Sequence, residues 1–232
     1  MKKLLITMLA IVFACTNAIS QSSTSVYALN KQGTVAKYSM TYGGKLTGYL
    51  KVTSKETTGN EENGTITVLE EVLNKKGKPM KSASWIGLGD GMLLQIDIKD
   101  SEYYMTQDFM LASMPGDERQ GYLLKMKNNL KVGDDIEGST IDWLFKFMGS
   151  KCRNSLTYSK FKVESEEDLV TPAGTIHCLK VTGNVSGKFQ KMDINDNQTW
   201  YIAPNIGIVK QVSNYMGEKN SVIIELCEIS GL

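Results

Sequence analysis

The chain has 232 residues, with 26 basic and 25 acidic side chains, one histidine and four cysteines. A balance this close to neutral lacks the basic stripe of nucleic-acid binders, so no nucleic acid is expected as a partner. It also argues against strong attraction to anionic lipid. A single histidine cannot build a multi-histidine metal site.

Residues 1–20 have the layout of a secretory signal peptide. Lys2 and Lys3 start it, an apolar run follows from Leu4 to Ala14, and Ala18-Ile19-Ser20 forms an A-x-S cleavage site ahead of Gln21. The run is shorter than the roughly 20 residues needed to span a bilayer. The expectation is an exported protein, periplasmic or outer-membrane associated, with no transmembrane helix in the mature chain. Cys15, preceded by Val12-Phe13-Ala14, resembles a lipoprotein cleavage box, and lipidation there is the alternative. Loss of Lys2 and Lys3 from the 26 basic residues leaves 24 against 25 acidic ones. Cys152, Cys178 and Cys227 remain. They sit in apolar or strand-like sequence and read as small buried hydrophobes without a structural disulfide.

Residues 21–33 read as a loose leader, and 34–232 as a single β domain. Ala36, Tyr38, Met40 and Tyr42 alternate with Lys37, Ser39 and Thr41, and Gly43-Gly44 marks a tight hairpin. Leu46, Gly48, Leu50 and Val52 continue the alternation, as a half-wet antiparallel sheet requires. Thr65–Leu73 is a third strand, followed by a break at residues 75–79 and a strand from Met80 towards Ile86. Met92, Leu94, Ile96 and Ile98 then alternate with Gln95, Asp97 and Lys99, the cleanest period of two in the chain. Between Glu102 and Met114 the spacing of Tyr103, Met110, Leu111 and Met114 predicts a short helix or ordered loop.

Residues 128–134 read as a turn back into the sheet. Ile141–Met148 fits a capped helix or a strand; recurring turn signals on both sides favour the strand. Strands are also expected over 161–165, 175–182, 199–202, 206–215 and 221–229, with a polar loop at Asp193–Gln198. Roughly ten strands cannot lie flat without curling. The fold class is therefore mainly β: a strongly curved antiparallel sheet, a half-barrel or incomplete barrel, with a short helical or loop segment.

No catalytic constellation emerges. His177 and Cys178 are neighbours in a strand and point apart, which makes a poor nucleophile–base pair. Asp193-Ile194-Asn195-Asp196-Asn197 imitates the start of a calcium loop. Gln198 stands where the turn glycine belongs, however, and Pro204 where the closing glutamate belongs, so no metal is expected. No phosphate-cradling glycine loop or G-x-S-x-G elbow is present, and no cofactor is expected. The lead that remains is apolar. Tyr38, Met40, Leu94, Ile96, Trp143 and Trp200 are candidates to line the concave face of the curved sheet and to hold a hydrophobic small molecule or lipid-like group. Ordinary core packing is the competing reading.

The C-terminal part carries T-P-A-G-T-I-H-C at 171–178, W-Y-I-A-P-N-I-G-I-V at 200–209 and L-K-V-G-D at 130–134. Over residues 125–230 this resembles the TapB-like class of exported proteins of unknown function, common in Bacteroidetes. Ile176 replaces the usual Phe of that class and Asn205 the usual Gly. The resemblance implies an all-β half-barrel, loosely similar to the folds of periplasmic lipoprotein carriers, and brings no catalytic residues. Three functions follow. The first is non-catalytic binding of a hydrophobic ligand. The second is an assembly module docking another envelope protein through a sheet edge. The third is a hydrolase using scattered carboxylates or His177.

Overall fold

A computed structural model describes residues 26–80, 91–105, 118–120, 122–147, 150–189, 192–214 and 221–232. The expected signal peptide, Cys15 and all but the first residue of the strand expected from Met80 towards Ile86 lie outside them. One antiparallel sheet runs through β1 (Val35–Tyr42), β2 (Lys45–Gly59), β3 (Gly64–Leu73), β4 (Met92–Lys99), β5 (Glu102–Met105), β6 (Glu118–Gln120) and β7 (Leu124–Lys127). It continues through β8 (Asp135–Gly138), β9 (Thr140–Phe147), β10 (Ser150–Thr171), β11 (Gly174–Phe189), β12 (Met192–Ala203), β13 (Gly207–Ser213) and β14 (Val222–Ser230).

The sheet closes on itself. Its order runs from β11 through β14 to β1, then by way of β4, β5, β7 and β8 to β10, and β10 pairs back onto β11. β8 and β9 both pair with β10, and β7 and β6 pair in turn with β8 and β9, so each of these couples occupies one position of the wall. The result is a closed barrel of twelve positions, which corrects the half-barrel expected from the sequence. Closure depends on β10, which is 22 residues long. Register shifts at Ser159/Lys162 and at Val163/Ser165, with Lys160 at φ 56°, bend it enough to serve both neighbours.

Three further expectations change. Glu102–Met105 is strand β5, with Tyr103 and Met105 buried and Tyr104 turned the other way; the remainder of the expected helix lies outside the described residues. No helix occurs among the described residues. The polar stretch Asp193–Gln198 is strand and not loop, because Asn184 on β11 bonds Asn195 and Asn197 on β12 and so satisfies the outer polar row. The leader is not loose from residue 26 onward. Val26, Tyr27, Ala28 and Leu29 are all buried. The Tyr27 N–H donates to Tyr103 Oη at 3.2 Å, and the Asn205 N–H donates to the Val26 carbonyl at 2.8 Å. The expected strand over 141–148 is present as β9, and 128–134 is the β7–β8 turn.

Connections alternate between the two ends of the barrel. The leader end carries the turns at 60–63, 100–101, 128–134, 172–173 and 204–206; the hairpin end carries Gly43-Gly44 and the partners of the other strand ends. Asn205 adopts φ 62°, a left-handed conformation that asparagine tolerates better than most residues. This explains why it can stand where the resembled class has glycine.

Candidate functional site

Strand alternation and register assign the two faces of the wall. Trp200 lies opposite Gln211, Gln211 opposite Ile224, and Ile224 opposite Met40. This row crosses four strands on the inner face. Tyr38, Leu50 and Val72 form a second inner row, and Val68 with Leu94, and Ile66 with Ile96, a third pair of rows. Trp143 faces Asn154, on the same side of β10 as Leu156 and Tyr158. All six residues singled out from the sequence therefore share the interior.

They do not share one environment. Tyr38, Ile96, Trp143 and Trp200 are buried, Trp200 completely at 0%. Trp200 packs at 5.1 Å between ring centroids from Phe161 and 6.4 Å from Tyr158, with Phe161 and Tyr158 6.0 Å apart. Gly183 makes room for this cluster, since a Cβ there would run into the Phe161 ring. The middle of the barrel is thus filled by its own aromatic side chains. Met40 and Leu94, nearer the hairpin end, are only half-buried, as are Val72 and Val222 on the same face.

Next to this half-buried group runs a buried polar network. Asp196 accepts from Ser213 Oγ at 2.5 Å, the Asn214 N–H at 2.7 Å and Gln198 Nε2 at 3.1 Å. Gln198 Oε1 accepts from Trp200 Nε1 at 2.7 Å and Gln211 Nε2 at 3.1 Å. These bonds offset much of the cost of burying the polar groups and tie β12 to β13. Burial pushes the Tyr38 phenol well above its ordinary pKa, with smaller contributions from Glu70 and Cys227, so it stays neutral. The sequence reading missed Tyr158, Phe161 and the Asp196 network. Asp196 and Gln198 share one face with Trp200 and Ile202 in one continuous strand, a signal hidden by reading 193–198 as a loop.

The outer face is charged. Lys37 pairs with Glu228 at 2.9 Å, Lys51 with Glu71 at 2.8 Å and Lys210 with Glu225 at 2.8 Å. An apolar inside and an ion-paired outside is the reverse of a membrane-spanning barrel, whose outer belt must be apolar. No helix among the described residues is long and apolar enough to cross a membrane. His177 is exposed near the start of β11, its Nδ1 2.9 Å from Asp168 Oδ1. Cys178 and Cys227 are free thiols; burial raises the pKa of Cys178 to about 12, with Glu167 and Asp168 adding to it. A thiol that burial holds protonated offers little thiolate for attack. No group of three metal-ligating side chains occurs among the described residues.

Fold and inner face define a closed antiparallel β-barrel with a mainly apolar interior, half-buried at Met40 and Leu94, and a charged exterior. The chain belongs to the DUF3108-like family, whose model matches residues 31–222. It is similar in fold to a Bacteroides fragilis protein named as exported and of YmcC-like fold: TM-score 0.72, 19% identity, covering 89% of this chain and 100% of that one. It is also similar to a Parabacteroides distasonis protein named as a lipoprotein: TM-score 0.69, 15% identity, covering 90% of this chain and 100% of that one. No curated protein matches the chain.

Proposed function

We propose that this is an exported envelope protein that binds a hydrophobic small molecule or lipid-like group, without catalysis, on the inner face of its barrel towards the hairpin end. The observation that carries the reading is the change in burial along that face. The middle is closed by Trp200, Phe161 and Tyr158, whereas Met40, Val72, Leu94 and Val222 keep apolar surface accessible. Apolar surface held in a concavity gains free energy when a ligand removes it from water, roughly 25 cal/mol per Å². The adjoining Asp196–Gln198–Gln211–Ser213 network gives the same face a polar border. Such a pairing suits an amphiphile better than a pure hydrocarbon.

Export and envelope placement rest on the signal-like residues 1–20 and agree with the names of the two structural neighbours. The narrower TapB-like assignment rests on the 171–178 and 200–209 motifs and belongs with this reading.

Mass spectrometry of protein purified under native conditions should find a bound lipid or similar amphiphile. A fluorescent fatty acid should bind saturably, and Leu94→Arg or Met40→Glu should weaken it about tenfold or more, since each places a charge in an apolar contact. Protein free of any amphiphile, together with probe binding indifferent to both substitutions, would sink the proposal.

A further inference from the structure

A cavity lies at the leader end, away from Met40 and Leu94. It measures about 220 Å³ and opens between the leader, the β7–β8 turn and the β10–β11 hairpin. Tyr27, Leu130, Leu179 and Pro204 supply its walls, and Leu130 and Leu179 are buried. Glu166, His177 and Lys131 stand at its rim.

Register makes the rim a unit. Glu166 lies opposite Leu179 and Asp168 opposite His177, so these four side chains share one face of the β10–β11 hairpin. His177 Nδ1 is 2.9 Å from Asp168 Oδ1, and its Nε2 is 3.8 Å from Glu166 Oε2. When Nδ1–H donates to Asp168, Nε2 is left as an acceptor. Asp134 is close as well, accepting from the Lys131 N–H at 2.9 Å. The Tyr27 phenol registers the local field. Burial first, and then the Glu166 and Asp134 carboxylates, push its pKa up to about 12, against a hydrogen bond with the Leu130 backbone. Glu166 and Lys131 line this aromatic and aliphatic cavity, and it is the Glu166 and Asp134 carboxylates whose charge bears on the Tyr27 phenol in its wall.

We infer that this cavity binds a small organic cation, with its ammonium head at Glu166 and its short apolar body between Tyr27, Leu130 and Leu179. An aromatic wall beside a carboxylate favours such a head over a carboxylate of the same shape. The volume sits below that of a drug-sized pocket and suits a body of about one ring. The site is independent of the interior one, since none of the half-buried inner residues lines it.

The test is calorimetric titration of the purified protein with benzylammonium, benzoate and benzyl alcohol. Benzylammonium should bind saturably and benzoate at least about fivefold more weakly. Glu166→Gln should weaken benzylammonium about fivefold, and Lys131→Gln should tighten it by a similar factor, the scale of a half-exposed charge pair. Both substitutions are on the surface, so the thermal midpoint should hold. Leu94→Arg should leave this binding unchanged, which separates it from the interior site. His177 is the one histidine of the chain, so its ring resonance should move during the titration. Benzoate binding as well as benzylammonium, an indifferent Glu166→Gln variant, or no binding at millimolar concentration would each overturn the assignment.

Discussion

The barrel has a long wall and a short wall. In the long wall β10, β11 and β12 are 22, 16 and 12 residues and pair along most of their length. In the short wall β5, β7 and β8 are four residues each, and β7 meets β8 through only Leu124↔Gly138 and Lys125↔Glu137. The long wall carries the aromatic centre and the Asp196 network. The short wall depends on the leader, whose Tyr27 N–H is held by Tyr103 of β5. A closed barrel does not need equal strands: one cooperative wall can hold shape while the other is completed by a chain segment from outside the sheet.

The largest expected effect lies in the long wall. Trp200→Ala empties the centre and removes a donor to Gln198, and should cost about 3–5 kcal/mol of unfolding free energy in urea. A comparable loss from Tyr103→Ala would erase the distinction between the walls. Gly183→Ala comes next. Its new methyl meets the Phe161 ring, and overpacking of this kind costs about 1–3 kcal/mol; Gly183→Ala combined with Phe161→Leu should recover part of it.

Alkaline pH sharpens the comparison through sign. Cys178 in the long wall and Tyr27 in the leader both hold their protons more tightly when folded, each to about 12. A raised folded pKa means that stability is complete below the unfolded value and is lost as pH climbs towards the folded one. The loss should begin near pH 9 for the thiol and near pH 10 for the phenol. Cys178→Ala should flatten the first part of the decline and Tyr27→Phe only the second, measured as urea midpoints against pH. The smallest effect belongs to the outside of the short wall. Lys125 pairs with Glu102 at 2.6 Å on the surface, and Lys125→Gln should leave the midpoint within error, because exposed ion pairs contribute little. Amide exchange in β5, β7 and β8 should nonetheless outpace that in β10–β12, and equal rates would show that the two walls open as one.

The same contrast explains what could be read in advance. Alternation over β1, β2 and β4 is long enough to register as a period of two, and it places Tyr38, Met40, Leu94 and Ile96 on the apolar face of their strands. Trp143 follows from reading 141–148 as a strand, and Trp200 from the aromatic content of the strand-like C-terminal part. Four-residue strands such as β5 hold barely two alternations, so Tyr103 was absorbed into a helical spacing that extended beyond it. The bulges of β10 interrupt its pattern, so one 22-residue strand reads as two short ones, one with Leu156 and Tyr158 after a Gly149-Ser150 turn and one over 161–165.

Sequence alone determined an antiparallel β protein and the faces of its longer strands, because these depend on local period and residue type. Tertiary structure decided that the sheet closes, that Val26–Leu29 belong to the core, and that the inner face is packed at Trp200 yet half-open at Met40 and Leu94. Closure and filling depend on which distant strands meet and on how much side-chain volume they bring to a common centre. No window of neighbouring residues contains that quantity.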